Sequence, residues 1–303
     1  MIKRTIYIGN RSKLKLENAQ LLIELDIKGE EPHDTKSVPI EDIGILLVDS
    51  PQVSMSSALL NYLMTCNVVV ITCDERHLPH GCMLPYSGNT LLTERYRMQI
   101  EASEPLKKQL WQQVVSAKIR NQAAVLSNIG IESTQLRLWS NDVASGDTRN
   151  VEGAAAAWYF DKIFTGYIVQ FKRAREGDAP NNVLNYTYSI IRAIVARSIV
   201  GAGLLPALGI HHRNKYNPFC LADDLMEPFR PYADALVLEL IRSAEDISSL
   251  STAVKRKLLT VAQMDVQIAG QTSPMFNAAQ RLVDSYVNCL KGAKRKLDLP
   301  QML

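Results

Sequence analysis

Between Gly209 and Pro231 the chain reads GIHHRNKYNPFCLADDLMEPFRP, two histidines followed, across a short polar loop, by the acids Asp223, Asp224 and Glu227. Imidazole nitrogen and carboxylate oxygen together suit a hard divalent ion such as Mg2+ or Mn2+, which activates an oxygen nucleophile or carries charge on a phosphate. Asp224 and Glu227 stand three residues apart, so a helix projects both from one face, where they can share an ion or a phosphate. Pro228 and Pro231 interrupt helical hydrogen bonding, which puts these acids in a first turn or beside a kink. The competing reading is structural: the Asp pair caps a helix and Glu227 pairs with Arg230 on its surface. His211 and His212 point to different faces in any local structure, so at most one joins the carboxylates. A further acid, Glu152, opens NVEGAAAAWYF, where four alanines allow a helix to pack closely against a neighbour. Taken alone, a glutamate near a helix start complements the helix dipole.

A second cluster, Cys73, His77, His80 and Cys82, offers four zinc-type side chains within ten residues. Structural zinc sites separate two ligand pairs by a dozen or more residues, so the expectation here is an ordered loop, with Cys73 ending a buried strand. Phosphate loops of the GxxxxGKS type, dinucleotide fingerprints and GxSxG elbows are missing from the sequence, which leaves nucleotide hydrolysis, hydride transfer and α/β-hydrolase chemistry without support.

The elements that must position these residues differ between the two ends of the chain. From Arg4 to about Val70, short runs rich in Ile, Leu and Val (RTIYIG, AQLLIEL, IGILLVD, NVVVIT) read as strands, with SMSSALLNYLMTC as one inserted helix behind a serine cap. The stretch ERHLPHGCMLPYSGN reads as a linker, with a boundary near Gly88. Beyond it, LLTERYRMQIEA, EPLKKQLWQQVVSAKIRNQAAVLSNIG, VEGAAAAWYFDKIF, NNVLNYTYSIIRAIVARSIVGAG, the DDLMEPFRPYADALVLELIRSA stretch and SPMFNAAQRLVDSYVNCLKGAKRKL all favour helix. The expected fold class is α+β: a small mostly β domain over residues 1–88, then an all-α domain over 89–303 that carries the metal site.

The 303 residues suffice for two buried cores. Five cysteines, an odd number, give no disulfide framework and point to a reducing compartment. The N-terminus MIKRTIYIGNRSK lacks a secretory apolar core, and the richest apolar stretch, Ala193 to Ile210, holds Arg197. The expectation is a cytoplasmic protein. The net charge of +3 is unevenly spread: residues 1–90 hold 8 basic against 11 acidic side chains, the remainder 26 against 20. Any electrostatic footprint for phosphates therefore lies in the second part.

With those residues in view, the chain resembles the CRISPR spacer-acquisition integrase family, and most of all its compact subgroup from type II systems. The resemblance spans essentially the whole chain. It is carried by VEGAAAAWYF at 151–160, NNVLNYTYSIIRAIVARSIVGAGLLPALGIHH at 181–212 and LADDLMEPFRPYADALV at 221–237. It implies an N-terminal β domain, a helical catalytic domain and a Glu, His, Glu/Asp metal site, here Glu152, His212 and Glu227, with Asp224 as an auxiliary catalytic group. The family's run of Gly, two apolar residues and His falls on Gly209 to His212, with the third position itself histidine, which leaves the choice between His211 and His212 open.

The implied reaction is attack of the 3′-hydroxyl of a short foreign duplex on a phosphodiester of the CRISPR repeat, with Mg2+ or Mn2+ as cofactor. The implied partners are double-stranded DNA, a second copy of the chain in a homodimer, and a small ferredoxin-like CRISPR protein that bridges two dimers. Candidate DNA-backbone contacts are Lys172, Arg173 and Arg175, then Lys294, Arg295 and Lys296. Tyr186 and Tyr188 lie near that run, and packing is the expected role of each. Two alternatives stand beside this reading: a nuclease on branched DNA that uses water, and a non-catalytic DNA-binding scaffold.

Overall fold

The computed structural model describes residues 3–25, 35–86, 89–174 and 177–302. Gly88, where the sequence places the boundary, lies outside them, as does Arg175. Two compact units are present, Met1–Thr90 and Leu91–Leu303.

In the first unit the chain forms β1 (Arg4–Ile8), β2 (Ser12–Glu17), β3 (Gln20–Leu25), β4 (Thr35–Pro39), β5 (Ile43–Val48), β6 (Val53–Met55), α1 (Ser57–Thr65), β7 (Val69–Cys73) and β8 (Pro79–Met83). One sheet has the order β1-β5-β7-β8 and the other β4-β3-β2-β6. β5 pairs in parallel with β1 and β7, is buried at every position, and reads as the continuous apolar run IGILLV that a doubly covered parallel strand requires. The crossover to β7 carries α1, whose N-cap Ser56 accepts a hydrogen bond from the Leu59 N–H at 3.2 Å, as the serine cap in the sequence suggested. Leu14, Leu21, Ile40, Leu46, Leu59 and Leu63 belong to one apolar core.

Two expectations fail in this unit. The proline- and glycine-rich stretch after Asp74 is not a linker: Pro79–Met83 pairs antiparallel with β7, and Pro79 is tolerated because it opens an edge strand. β2 lies outside the runs expected to be strands, although KLKLE within it alternates between polar and apolar residues. Its hairpin partner β3 follows a turn at Asn18 and Ala19, both left-handed, which lacks the glycine that usually marks such a turn.

The second unit contains α2 (Leu92–Glu101), α3 (Glu104–Asn128), α4 (Thr134–Asp142), α5 (Val151–Ile163), α6 (Asn181–Gly201), α7 (Cys220–Met226), α8 (Arg230–Arg242), α9 (Thr252–Leu258), β9 (Asp265–Ile268), β10 (Gln271–Pro274) and α10 (Met275–Leu290). α3 is capped by Ser103, whose side chain accepts from Leu106 N–H, and ends just before Gly130, which takes a left-handed φ of +77°. From Leu110 to Leu126 it is buried on most sides, and α6 is buried along almost its whole length, so these two helices form the core. The unit is not all α. β9 and β10 form an antiparallel hairpin through Ala269 and Gly270, so Ser273 and Pro274, expected to begin a helix, are strand residues instead. Four-residue strands are too short for periodicity to reveal. Among the described residues no helix is long and apolar enough to cross a membrane.

Candidate active site

One face of α3 organises the site. Trp111, Lys118 and Asn121 follow at spacings of seven and three, which bring them to the same side of the helix. Asn121 donates to the Pro228 carbonyl at 2.7 Å and to the Pro300 carbonyl at 3.1 Å, and accepts from the Met302 N–H at 3.0 Å. That contact pins the single 3-10 turn, Glu227–Phe229, that joins α7 to α8. Pro228 and Pro231 each lie in a first turn, where a missing N–H is no loss, so the kink inferred from the two prolines is present.

Lys118 is the centre of the constellation, and its side chain is only 10% exposed. Its Nζ lies 2.6 Å from Glu152 Oε1 and 2.6 Å from Glu227 Oε2. Glu227 also faces Arg230, with Nε 2.9 Å from Oε1, and the Arg230 guanidinium lies over the Tyr188 ring, 4.7 Å from its centroid. The pairing of Glu227 with Arg230 was the bland reading of this segment; it exists, but buried rather than on a surface. Burial opposes charge on Glu227, yet Arg230 and Lys118 outweigh it and hold the carboxyl below its ordinary range. Burial likewise opposes charge on Lys118, and Glu227 and Glu152 reverse the balance, leaving its pKa raised.

Glu152 sits in the first turn of α5. The Asp147 carboxylate accepts from the N–H groups of Val151, at 2.8 Å, and Glu152, at 3.0 Å, so it caps the helix that presents Glu152. Of the small residues that follow, Ala155 is buried while Gly153, Ala154 and Ala157 are exposed. The close packing expected of the alanine run therefore applies to one of its positions.

The histidines part as their adjacency requires. His211 stacks on Trp111, with centroids 4.4 Å apart and planes within 2°, while His212 stands nearly perpendicular to it. His212 Nδ1 bonds to Asp224 Oδ1. Asp224 is fully buried and also accepts from the backbone N–H of His211 at 2.8 Å and of His212 at 3.3 Å. The hydrogen bond to Asp224 raises the His212 pKa against the effect of burial, and the charges of Asp224, Glu227 and Glu152 add to the rise. His212 thus lies within the field of both glutamates, with one ring nitrogen committed to Asp224. Asp224 and Glu227 do not share a ligand as their spacing had allowed: Asp224 serves the histidine loop, and Glu227 serves the cations. Asp223 belongs to neither. It takes a two-point contact from Arg192, at 2.6 and 2.9 Å, and a bond from Asn217 at 2.6 Å, which ties the loop after His212 to α6.

Gly209 makes this loop possible. A Cβ there would stand 2.4 Å from the His212 carbonyl oxygen and 2.8 Å from Asp224 Oδ2. Gly209→Ala must push the loop off Asp224. We expect a loss of about 1–3 kcal/mol in stability, read by thermal melts of the variant and the wild type.

Behind the site, Tyr186 and Tyr188 are buried, so both pack as expected, and the Tyr188 hydroxyl donates to Asp234. Burial lifts the Asp234 carboxyl to about 6, against that hydrogen bond. A carboxyl whose folded pKa exceeds its unfolded one favours folding most at low pH, and the contribution fades as pH rises through about 6. Asp234→Asn stays neutral, so it should match the wild type near pH 4 and exceed it by about 3 kcal/mol at pH 8. Urea unfolding of both proteins at the two pH values checks this.

The basic candidates fare unevenly. Lys172 is exposed, whereas Arg173 is engaged by Asn181 at 3.0 Å and Asn185 at 2.5 Å and lies over Tyr188. Lys294 pairs with Asp298 at 2.8 Å, and Arg295 and Lys296 are exposed beside it. In the first unit His77 bonds to Asp49 at 2.8 Å, and among the described residues Cys73, His77, His80 and Cys82 form no group of three that could hold a metal ion. Sequence reasoning missed Lys118, Trp111, Asn121 and Arg192. A visible signal existed for Lys118: it is a lysine inside WQQVVSAKIRNQAAVL, a segment apolar enough to be core, and a buried lysine demands acids.

Among the described residues no three His, Cys, Asp or Glu side chains are grouped ready for a metal ion; the cation at the junction of the acids is the Lys118 ammonium. In type the donors fit a hard divalent ion. Two glutamates already converge on one cationic point, and the nearby histidine has its ring fixed through a carboxylate, the arrangement that orients imidazole ligands.

Residues 6–250 match the family model described as CRISPR associated protein Cas1. The chain is 38% identical to the CRISPR-associated endonuclease Cas1 of Neisseria meningitidis serogroup C, over 100% of this chain and 97% of that protein. Its fold is similar to that of a casposase bound to an integration product, with TM-score 0.77, 23% identity and coverage of 98% of this chain and 93% of the other. It also matches a chain of a Cas6-RT-Cas1–Cas2 complex, with TM-score 0.74, 16% identity and coverage of 97% of this chain and 36% of that one. With the casposase the chain shares a mixed α/β architecture, an N-terminal sheet unit before a helical portion. The chain belongs to the Cas1 family of CRISPR-associated proteins.

Proposed function

We propose that this Cas1 protein is a divalent-metal-dependent DNA integrase and endonuclease of CRISPR adaptation, which inserts short foreign duplexes into the CRISPR repeat. The observation that carries this reading is the meeting of Glu152 and Glu227, from separate segments of the chain, on one cationic point beside a histidine whose ring is set by Asp224. Glu152, His212 and Glu227 would hold Mg2+ or Mn2+. Such an ion, when bound, neutralises charge on a scissile phosphodiester and activates the attacking oxygen.

The chain's own residues do the rest. Glu227 stays ionised at neutral pH because Arg230 and Lys118 outweigh its burial. Asp224 occupies Nδ1 of His212 and so leaves the other ring nitrogen to serve as the ligand. Asp147 fixes the start of α5 and with it Glu152. In the joining reaction the incoming 3′-oxygen bonds to phosphorus, the bond from phosphorus to the repeat's own 3′-oxygen breaks, and the proton of the incoming hydroxyl is balanced by one on the departing oxygen. One phosphodiester replaces another, so no nucleotide fuel is needed. With water in place of the 3′-hydroxyl the same centre hydrolyses DNA, which accords with the name endonuclease carried by the N. meningitidis relative.

Lys172, Arg295 and Lys296 are free of the pairings that engage Arg173 and Lys294, and we assign them to the DNA backbone first. The protein would act as a homodimer with a small ferredoxin-like CRISPR partner; the chain that is similar in fold belongs to a complex whose name joins Cas1 with Cas2. A labelled short duplex and a plasmid carrying a CRISPR array, incubated with Mg2+, Mn2+ or EDTA and with or without that partner, test the reading. Metal-dependent covalent joining is expected; cutting without joining, partner present, would leave only the nuclease.

A further inference from the structure

We propose that Lys118 is a built-in counter-cation that closes the acidic site in the absence of metal and is expelled when a divalent ion enters. This inference rests on the metal-dependent reading above. In the closed state the site is electrically complete: two carboxylates, Glu152 and Glu227, face two cations, Lys118 and Arg230. The ammonium contacts one oxygen of each glutamate at the same 2.6 Å, from a side chain 10% exposed.

An ammonium has three donors and no acceptor, so it cannot itself ligate a metal. A divalent ion that takes these two oxygens must therefore either displace Lys118 or sit against a like charge at contact distance, where repulsion in a buried site is strong. Displacement is feasible for lysine in a way it is not for the neighbouring arginine. Lys118 has a flexible four-carbon stem, whereas Arg230 is braced between Glu227 and the face of Tyr188.

Two consequences separate this role from that of a simple structural ion pair. Metal must compete with Lys118, so neutralising the lysine should tighten metal binding rather than weaken it. The acids should be held in place before metal arrives, which spares the metal-free protein an unpaired Glu152 and leaves Glu227 with both of its cations.

The test measures metal binding directly, apart from activity. Mn2+ affinity is determined by calorimetry for the wild type, Lys118→Gln and Lys118→Arg. In the wild type, the 15Nζ–1H signal of the Lys118 ammonium, assigned by its loss in Lys118→Gln, is followed through a Mg2+ titration. We expect Lys118→Gln to bind Mn2+ about tenfold more tightly or better, Lys118→Arg to bind no more tightly than the wild type, and the Lys118 signal to shift along the same curve as Mg2+ binding. The signal is lost equally in Lys118→Arg, which serves the same assignment, so a poorly folded glutamine form leaves the question answerable. Metal binding with an unmoved Lys118 signal and equal affinities would overturn this inference alone. Absence of binding to all three folded proteins would overturn it together with the metal-dependent reading.

Discussion

Replacing Glu227 is expected to abolish both joining and cutting of DNA, and the choice of replacement should separate chemistry from folding. Glu227 is buried and meets two cations, Lys118 at 2.6 Å and Arg230 at 2.9 Å. Glu227→Ala leaves both cations without that partner, and breaking a buried ion pair from one side costs about 3–5 kcal/mol. Glu227→Gln keeps the shape and one oxygen while removing the charge, so its stability should fall less. On the proposed function both variants would lose a ligand to the ion that carries charge on the reacting phosphate, a loss of several kcal/mol in transition-state stabilisation, or about a thousandfold in rate. Thermal melts should therefore rank wild type, then Gln, then Ala, while the joining assay should find both variants inactive. DNA binding measured on Glu227→Gln should persist, because contacts to the DNA backbone come from elsewhere. A Glu227→Gln protein that joins DNA at the wild-type rate would make the acid structural and favour the scaffold reading.

The second large effect is expected at Asp224, which touches neither glutamate and acts through His212. Its carboxylate is fully buried and accepts from two backbone N–H groups and one imidazole nitrogen. Asp224→Ala leaves all three donors without their acceptor, and at about 1–3 kcal/mol for each donor left unsatisfied the loop from Gly209 to His212 should come loose. Asp224→Asn keeps an oxygen for the backbone but places an amide where a carboxylate faced Nδ1. Fixing the ring of a metal-binding histidine is worth about 10–100-fold in metal affinity or activity. The asparagine form should accordingly stay folded, as seen by near-UV circular dichroism, and lose Mn2+ affinity on that scale. If Asp224→Asn binds Mn2+ like the wild type, then Asp224 serves only the fold.

Much of this arrangement could be read before any coordinates, and the parts that could not have physical causes. Strands such as IGILLV and helices such as α3 and α6 are legible because burial on many sides leaves long apolar runs. Of the strands outside the expected runs, β4, β6, β9 and β10 span three to five residues, too few to establish a period, and β8 hides within a proline- and glycine-rich segment. Asp224, Glu227 and the histidine pair stood out because acids and imidazoles cluster there in one short segment, whereas Glu152 was singled out only by the family resemblance. Lys118 and Trp111 did not, because they lie 34 and 100 or more positions from their partners and a single helix periodicity says nothing about distant contacts. Spacing was also misleading at Asp224. Three residues apart on a helix implies one face, but the helix ends at Met226, so Glu227 starts a different turn and looks elsewhere.

The measurement that bears most directly on the central claim is the position of Mn2+ by anomalous scattering in crystals of the wild type grown with a short duplex. The account predicts one manganese bonded to Glu152, His212 and Glu227, with Asp224 still on the far side of the imidazole and Lys118 withdrawn. Manganese bound elsewhere, or DNA seated over these residues with Lys118 still between the two glutamates at saturating Mn2+, would contradict it.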